Sequence, residues 1–338
     1  MSTPHTSDTA PTSGVRRRSL LAAAGGASLA GIASETVTSR TTPAQAASSG
    51  PTGFGTFEWL GTTGWRVRTP ATTLLVDPYL SRFYTGLAAG EFNAATPLTL
   101  DSAAIDAALG APGSGRPGPV DAILVTHTHW DHFADVPHIA KTRGATVYTT
   151  LSGYHLGLAM GVPASQLAVV KGSEELHIGD AAVRVIGSLH SRSGGGGLLF
   201  PGVRTQTPEP PRTIADLPEG DTLSFLIRRP DGSGGVLLLG ASDYDDQVMR
   251  GLGVDTVALP VPSNDVTADY VGRLLRVLDL PRTVVLVHWD NFESPLENPP
   301  AADDKSIARM RAITAEIKRV SPRTRVLQPR YLTPMNLL

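Results

Sequence analysis

Residues Thr126 to His132 read THTHWDH and directly follow the apolar run Ala122 to Val125. The stretch places three histidines and one aspartate within six positions, in the pattern H-x-H-x-D-H. An apolar strand that ends in such a cluster brings three imidazoles and one carboxylate to a single place. These are the ligand types that Zn²⁺ and its first-row neighbours prefer. The stretch therefore predicts a metal site at a strand-to-helix turn, rather than a turn that is rich in histidine by chance.

The composition limits the chemistry that the chain performs. The 338 residues include no cysteine, which excludes disulfides, thiolate ligands and cysteine nucleophiles and leaves histidine and carboxylate as the strong metal ligands. Charged residues make up 18% of the chain and the formal net charge is −2, so no basic surface for nucleic acid is expected. These features are typical of a globular protein that acts on something other than nucleic acid.

The first 46 residues resemble a twin-arginine signal peptide. Arg17 and Arg18 precede a stretch of small residues from Leu20 to Ala33, and Ala44-Gln45-Ala46 supplies an A-x-A cleavage site. The small-residue stretch is too short for a membrane span, which needs about 20 apolar residues. We expect export to the periplasm, cell surface or medium, with the twin-arginine translocase as a partner. The alternative is a polar tail with a chance arginine triplet.

Beyond a linker at residues 47–53, the chain predicts one domain over residues 54–338. Short apolar strands alternate with segments of helical periodicity, and no linker suggests a second folded unit. The Gly-rich and Pro-rich stretch from Ser193 to Pro218 predicts a long irregular loop. Such a loop is either a lid or a surface insertion, and the sequence leaves both open. No later segment is a candidate for a transmembrane span.

Four apolar strands each run into a residue that can bind a metal. The pairs are Val125 into His127, Ile186 into His190, Leu239 into Asp243, and Val287 into His288. A single histidine or aspartate after a strand is more often structural. Because active sites of layered α/β proteins collect at the carboxyl ends of strands, the repeated order favours one shared site.

The H-x-H-x-D-H stretch also resembles the signature of the metallo-β-lactamase superfamily. Three further stretches are similar to the branch of L-ascorbate-6-phosphate lactonase-like and N-acyl-phosphatidylethanolamine phospholipase-like hydrolases. They are WLGTTGWRV at 59–67, TTLLVDPYLSR at 72–82 and HWDNF at 288–292. The resemblance implies an α/β fold, the αββα four-layer sandwich, with a hydrolytic centre of one or two metals.

The resemblance also implies which residues hold the metals. One ion would be bound by His127, His129 and His190, and a second by Asp131, His132 and His288. Asp243 would bridge the two ions. The chain departs from the family at this last position, because Ala241 and Ser242 separate the aspartate from the glycine that usually precedes it. Asp245 is the substitute.

Two more aspartates are candidates for supporting roles. Asp77 either orients a ligand loop by accepting the second N–H of a metal-bound histidine or opens a turn before Pro78. Asp290 either shuttles a proton or supports the loop of His288.

Two divalent ions, Zn²⁺ first with Mn or Fe as alternatives, would lower the pKa of bound water to about 7. The expected reaction is hydrolysis of an ester, lactone or phosphodiester by a metal-bridging hydroxide. Asp131 would both bind metal and orient this hydroxide. The expected substrate is a small molecule or a lipid-like compound. The alternative is a non-catalytic, metal-binding member of the same fold.

Overall fold

The computed structural model describes residues 54–113, 119–193 and 195–338. The predicted signal peptide at 1–46 and the linker at 47–53 lie outside these residues. Residues 51–338 form one compact unit. No helix in the described ranges has both the length and the apolar character needed to cross a membrane.

The first sheet contains six strands in the order β1-β2-β3-β4-β5-β6. The strands are β1 Thr56–Gly61, β2 Gly64–Arg68, β3 Thr73–Val76, β4 Ala122–Leu124, β5 Thr146–Thr149 and β6 Leu167–Val169. The first three strands form an antiparallel meander, and β3 to β6 run parallel. The carboxyl ends of β3, β4 and β5 therefore lie at one edge of the sheet.

The second sheet contains seven strands in the order β13-β12-β11-β10-β9-β8-β7. The strands are β7 Glu175–Ile178, β8 Ala181–Ser188, β9 Thr222–Arg228, β10 Gly235–Leu239, β11 Thr256–Pro260, β12 Thr283–Val287 and β13 Arg325–Leu327. This sheet repeats the plan of the first, because β7 to β10 are antiparallel and β10 to β13 are parallel.

The helices lie on the outer faces of the two sheets. They are α1 Ser102–Leu109, α2 Trp130–Phe133, α3 Val136–Arg143, α4 Leu151–Ala159, α5 Asp246–Met249, α6 Tyr270–Val277 and α7 Asp304–Val320. Helices α1, α3 and α4 share one apolar core with the first sheet, whereas α6 and α7 pack with the second. The αββα sandwich that the resemblance implied is confirmed.

The central core lies between the sheets. Trp65 and Leu74 of the first sheet share a fully buried cluster with Val183, Phe225 and Leu237 of the second. Strands β4, β10 and β12 are buried along their whole length, which explains their uninterrupted apolar sequences, since both of their faces are covered.

The helix predicted to start at the H-x-H-x-D-H stretch is present but divided. Helix α2 starts at Trp130, inside the motif, and α3 begins at Val136 with Pro137 in its first turn. Proline lacks the N–H that a continuous helix would need at this point. The single turn of α2 holds Asp131 and His132 directly beside the strand end.

The end of the chain returns to its first strand. Phe57 and Met335 exchange backbone hydrogen bonds of 2.9 Å, and the Leu332 amide donates to the Trp59 carbonyl at 2.9 Å. The Trp59 ring stacks on Tyr331, with ring centroids 4.9 Å apart. Residues 331–335 therefore pack against β1, the edge strand of the first sheet.

Candidate metal centre

Three strand ends bring six of the predicted ligands together. His127, His129 and His190 form one group, in which one potential ligand atom of each residue lies within 4.8 Å of the others. A second group meets the same criterion and contains Asp131, His132 and His288. The groups adjoin each other, since the rings of His127 and His132 have centroids 3.8 Å apart.

Backbone carbonyls hold one ring nitrogen of two histidines in the first group. His129 Nε2 lies 2.8 Å from the Leu199 carbonyl, and His190 Nδ1 lies 2.7 Å from the carbonyl of Ser191. Since a carbonyl only accepts, each of these nitrogens carries the proton. The opposite nitrogen, His129 Nδ1 or His190 Nε2, is therefore free to bind a metal, as expected for a ligand oriented by a second hydrogen bond.

His132 in the second group is held by Asp77. Its Nδ1 lies 2.8 Å from the Asp77 carboxylate, which also accepts hydrogen bonds from the Thr126 amide at 2.7 Å and from the Thr63 hydroxyl at 2.8 Å. Asp77 is fully buried and has a left-handed backbone with φ of 41°, a conformation that aspartate tolerates better than most residues. Of the two roles predicted for Asp77, the geometry matches orientation of a ligand.

The donor set suits a divalent metal. His127 Nε2 is buried and has no hydrogen-bond partner among the described residues. Asp131 Oδ2 lies 3.2 Å from His288 Nε2 and 3.5 Å from His132 Nε2, so three donor atoms of the second group converge. A bound cation would satisfy these atoms, since buried polar groups without partners are costly.

The electrostatic surroundings hold four of the ligands in the protonation states that metals require. Burial lowers the pKa of His129 to about 3 and that of His190 to about 4, and it also lowers the pKa of His127. Burial opposes ionisation of Asp131, but the neighbouring His132 and His288 outweigh it and lower the pKa of this carboxyl. At neutral pH the first group is therefore neutral and Asp131 is ionised.

The loop after β12 is fixed by the turn between β1 and β2. His288 has a left-handed backbone with φ of 59°, and its amide donates to the Thr62 carbonyl at 2.9 Å. The Thr62 amide in turn donates to Asp290 Oδ1 at 3.0 Å. This pair of hydrogen bonds attaches the last ligand loop to the other half of the chain.

Asp290 supports the His288 loop and has no free oxygen for shuttling protons. Its Oδ2 accepts hydrogen bonds from Arg82 at 2.7 Å and from the Tyr331 hydroxyl at 2.8 Å. The side chains of Asp290 and Arg82 are almost entirely buried. Both oxygens of this carboxylate are occupied, so the positioning role is the one that the geometry fits.

The structure places Asp243 outside the centre, which corrects the assignment of a bridging ligand. The backbone of Asp243 pairs with Leu189, and its carboxylate accepts from the Tyr244 amide at 2.9 Å and faces Arg273 at 3.4 Å. The substitute, Asp245, caps α5 through the Gln247 amide at 2.8 Å. The two-residue displacement from β10 carries both carboxylates away, and Ala241 and Ser242 line the cavity instead.

Several supporting residues were not predicted. Thr63 donates to Asp77, and Thr62 and Arg82 donate to Asp290. The carbonyl of Leu199 accepts from His129. The glycines that flank Thr62-Thr63 mark a turn between two strands, and this is the signal that could have drawn attention to it. The contact made by the Leu199 carbonyl could not have been predicted, because every residue has a backbone carbonyl and the residue type gives no signal.

Part of the chain, which includes most of the site, matches a known family of proteins. Residues 56–202, which contain five of the six converging ligands, all except His288, match the β-lactamase superfamily domain. A UPF0173 metal-dependent hydrolase of Anaeromyxobacter dehalogenans is 27% identical over 256 residues, covering 71% of this chain and 77% of that protein. A UPF0173 metal-dependent hydrolase of Pyrobaculum calidifontis is 27% identical over 266 residues, covering 76% and 92%.

Another match is local and one is structural. A UPF0173 metal-dependent hydrolase of Polynucleobacter asymbioticus is 34% identical over 91 residues, which span only 25% of that protein. The crystal structure of a possible metal-dependent hydrolase from Veillonella parvula has a TM-score of 0.52 at 17% identity, covering 84% of this chain and 100% of that one. The chain is thus similar to metal-dependent hydrolases of the metallo-β-lactamase superfamily, and the family match covers less than half of its residues.

Proposed function

We propose that the protein hydrolyses an ester, lactone or phosphodiester bond at a centre of two metal ions. The observation that carries the proposal is the pair of adjoining ligand groups, His127 with His129 and His190, and Asp131 with His132 and His288. Both groups line one cavity of about 600 Å³, so a substrate in this cavity reaches the metal ligands. A structural metal site would instead be closed to solvent.

Each part of the centre has a chemical task. Bound divalent ions would lower the pKa of a water molecule and stabilise negative charge that develops on the substrate. Asp131 is buried and ionised, so it can bind metal and orient the attacking water. Asp77 keeps His132 in one tautomer through the 2.8 Å contact at Nδ1.

Two ions, with Zn²⁺ as the first candidate, fit the donor chemistry because five of the six ligands are imidazoles. Without Asp243, a single carboxylate offsets the charge of both ions. The centre would then be more positive than a centre with a bridging aspartate. This excess positive charge favours deprotonation of bound water and binding of an anionic transition state.

Elemental analysis of the purified protein tests the proposal. We expect about two metal ions per chain, about one after His288→Ala, and hydrolysis of 4-nitrophenyl esters or bis(4-nitrophenyl) phosphate that His129→Ala abolishes. His177→Ala is the matched control, since His177 is exposed on β7 and outside both groups. Trace metal in the wild type would refute the centre. Full metal content without hydrolysis would favour the non-catalytic alternative.

We also propose that the protein is exported through the twin-arginine route. The support is the order of charged, small-residue and A-x-A segments in residues 1–46. Arg17→Lys with Arg18→Lys should trap the precursor in the cytoplasm, measured by immunoblotting of cell fractions. Arg40→Lys, outside the paired arginines, is the control. Continued secretion of the double variant would contradict the route.

A further inference from the structure

The cavity beside the metal ligands has largely apolar walls. Its volume is about 600 Å³, which is the size of pockets that hold small organic ligands. Apolar side chains surround it on several sides, from the segment after β3, from α2, and from the loops after β8, β11 and β12. They include Leu87, Trp130, Leu199, Pro262 and Phe292.

Glu293 lines this cavity, but both oxygens of its carboxylate already accept hydrogen bonds from the protein. One oxygen of its carboxylate accepts from the amide of Thr85 at 2.9 Å, from the amide of Leu87 at 3.0 Å and from the Thr85 hydroxyl. The other oxygen accepts from the Ala88 amide at 3.2 Å. A substrate therefore finds few free acceptor positions on Glu293.

Other polar lining residues are satisfied in the same way. Asp290 accepts from Arg82, Tyr331 and Thr62, and Asp303 caps α7 through the Ser306 amide at 2.6 Å. The Ser242 hydroxyl, which is buried, donates to the Pro260 carbonyl at 3.0 Å.

The cationic lining residues lie at the surface or are paired. Arg309 forms an ion pair of 2.9 Å with Asp265. Arg192 and Lys305 are exposed side chains. The other polar side chains of the lining are those of Ser191, Ser193, Ser263 and Ser306, and of Asn291, whose side-chain oxygen accepts from the Glu293 amide at 3.0 Å. Beside the metal ligands, the largest surface that a substrate meets is therefore the apolar part of the wall.

We infer that the substrate carries an extended apolar group, an alkyl or aromatic chain, next to the bond that is cleaved. This inference rests on the proposed hydrolytic function and names its substrate class. A polyhydroxylated or sugar-like substrate would place hydroxyls against the apolar side chains of the wall, where they find no partner, and leaving hydroxyls unpaired is costly. The apolar walls provide binding in proportion to the area that they cover.

A series of 4-nitrophenyl esters with acyl chains of two, four, six and eight carbons tests the inference on the metal-loaded protein. Burial of a methylene group corresponds to a several-fold gain in binding. We expect kcat/KM to rise by about threefold for each added methylene until the cavity is filled. A flat or falling series would overturn the inference while leaving hydrolysis itself established.

Variants at the cavity mouth test whether the preference for long acyl chains arises in this cavity. Leu87 and Leu199 are 44% and 36% exposed, so an asparagine at either position is compatible with folding. Leu87→Asn or Leu199→Asn should reduce the ratio of kcat/KM between the eight-carbon and two-carbon esters by about fivefold. Leu100→Asn is the matched control, because Leu100 is 49% exposed and lies outside the cavity. An unchanged ratio in both mouth variants would overturn the inference.

A binding experiment separates failure of this inference from failure of the proposed function. If no ester is hydrolysed, the ester activity fails, but octan-1-ol should still bind at least tenfold more tightly than butan-1-ol in isothermal titration calorimetry. Leu87→Asn should reduce that preference. Equal affinities of the two alcohols would overturn the apolar substrate class whatever the catalytic result.

Discussion

At the scale of single residues, the site is built in two layers. The ligands stand at strand ends, and a second set of groups fixes their rings: Asp77 at His132, the Leu199 carbonyl at His129 and the Ser191 carbonyl at His190. Such outer contacts decide which nitrogen faces the metal. They make metal affinity depend on residues that never touch the ion.

Asp77→Asn should weaken metal binding by about 10-fold to 100-fold. Asparagine tolerates the left-handed backbone at this position, but it removes the charge that holds the proton on His132 Nδ1. Competition with a chelator of known affinity measures the change. Asp231→Asn, in an exposed hairpin, is the control and should have no effect. Equal affinity in the two variants would show that Asp77 only shapes the turn before Pro78.

The residues of the site differ in how well the sequence predicts them. His127, His129, Asp131 and His132 are adjacent along the chain, and His190 and His288 follow apolar strands, so their convergence could be predicted. Asp243 also follows such a strand, yet its side chain turns to Arg273. Periodicity locates the end of a strand, but the direction of a side chain two or more residues further on depends on the tertiary contacts of that loop.

At the scale of elements, one carboxylate organises the segment that follows β3. Glu293, in the loop after β12, accepts four hydrogen bonds from the segment Thr85 to Ala88. Leu87 and Ala88 of that segment form part of the cavity wall. Glu293 thus connects the wall that contacts substrate to the loop that carries His288.

Glu293→Gln should loosen this segment and leave the fold intact. The amide keeps one acceptor oxygen but replaces the other with a donor and removes the charge, and hydrogen bonds to charged groups are about twice as strong as neutral ones. We expect backbone amides of Leu87 and Ala88 to exchange with solvent about fivefold faster, measured by hydrogen exchange. Glu297→Gln, at an exposed site in the same loop, is the control. Unchanged exchange would remove Glu293 from this role.

Most strands can be recognised from local sequence patterns, and one edge strand cannot. The strands Gly64–Arg68, Thr146–Thr149 and Thr283–Val287 follow from their own sequences, because they are short runs rich in aromatic and β-branched residues. Strand Glu175–Ile178 was not predicted. It is an edge strand whose alternate residues are exposed, and it is stabilised by pairing with β8 rather than by its own apolar content.

At the scale of the whole molecule, the two halves meet at the centre through a close backbone approach. Gly240, after β10, lies so near Thr126, after β4, that an added Cβ atom would overlap its side chain, with Cγ2 only 2.8 Å away. Thr126 also donates its amide and hydroxyl to Asp77. A change in the distance between Gly240 and Thr126 would therefore displace Asp77, the residue that orients His132.

Gly240→Ala should destabilise the protein by about 1 to 3 kcal/mol, because overpacked sites cannot relax freely, and should also weaken metal binding. Urea unfolding and chelator competition measure the two effects. Gly187→Ala is the control, since its Cβ atom would lie 3.6 Å from the nearest atom, a normal contact. We expect a change below about 1 kcal/mol for it. Loss of stability without loss of metal affinity would contradict the link through Thr126.

The return of the final residues to β1 determines when the centre can form during synthesis. Tyr331 contacts both Trp59 and Asp290, so the support of the His288 loop comes partly from a segment that follows it in the chain. A nascent chain that lacks Tyr331 has none of that support, even where all six ligands up to His288 are already present. Because a domain folds as a unit, metal should be acquired only after Tyr331 has been synthesised and has packed on β1.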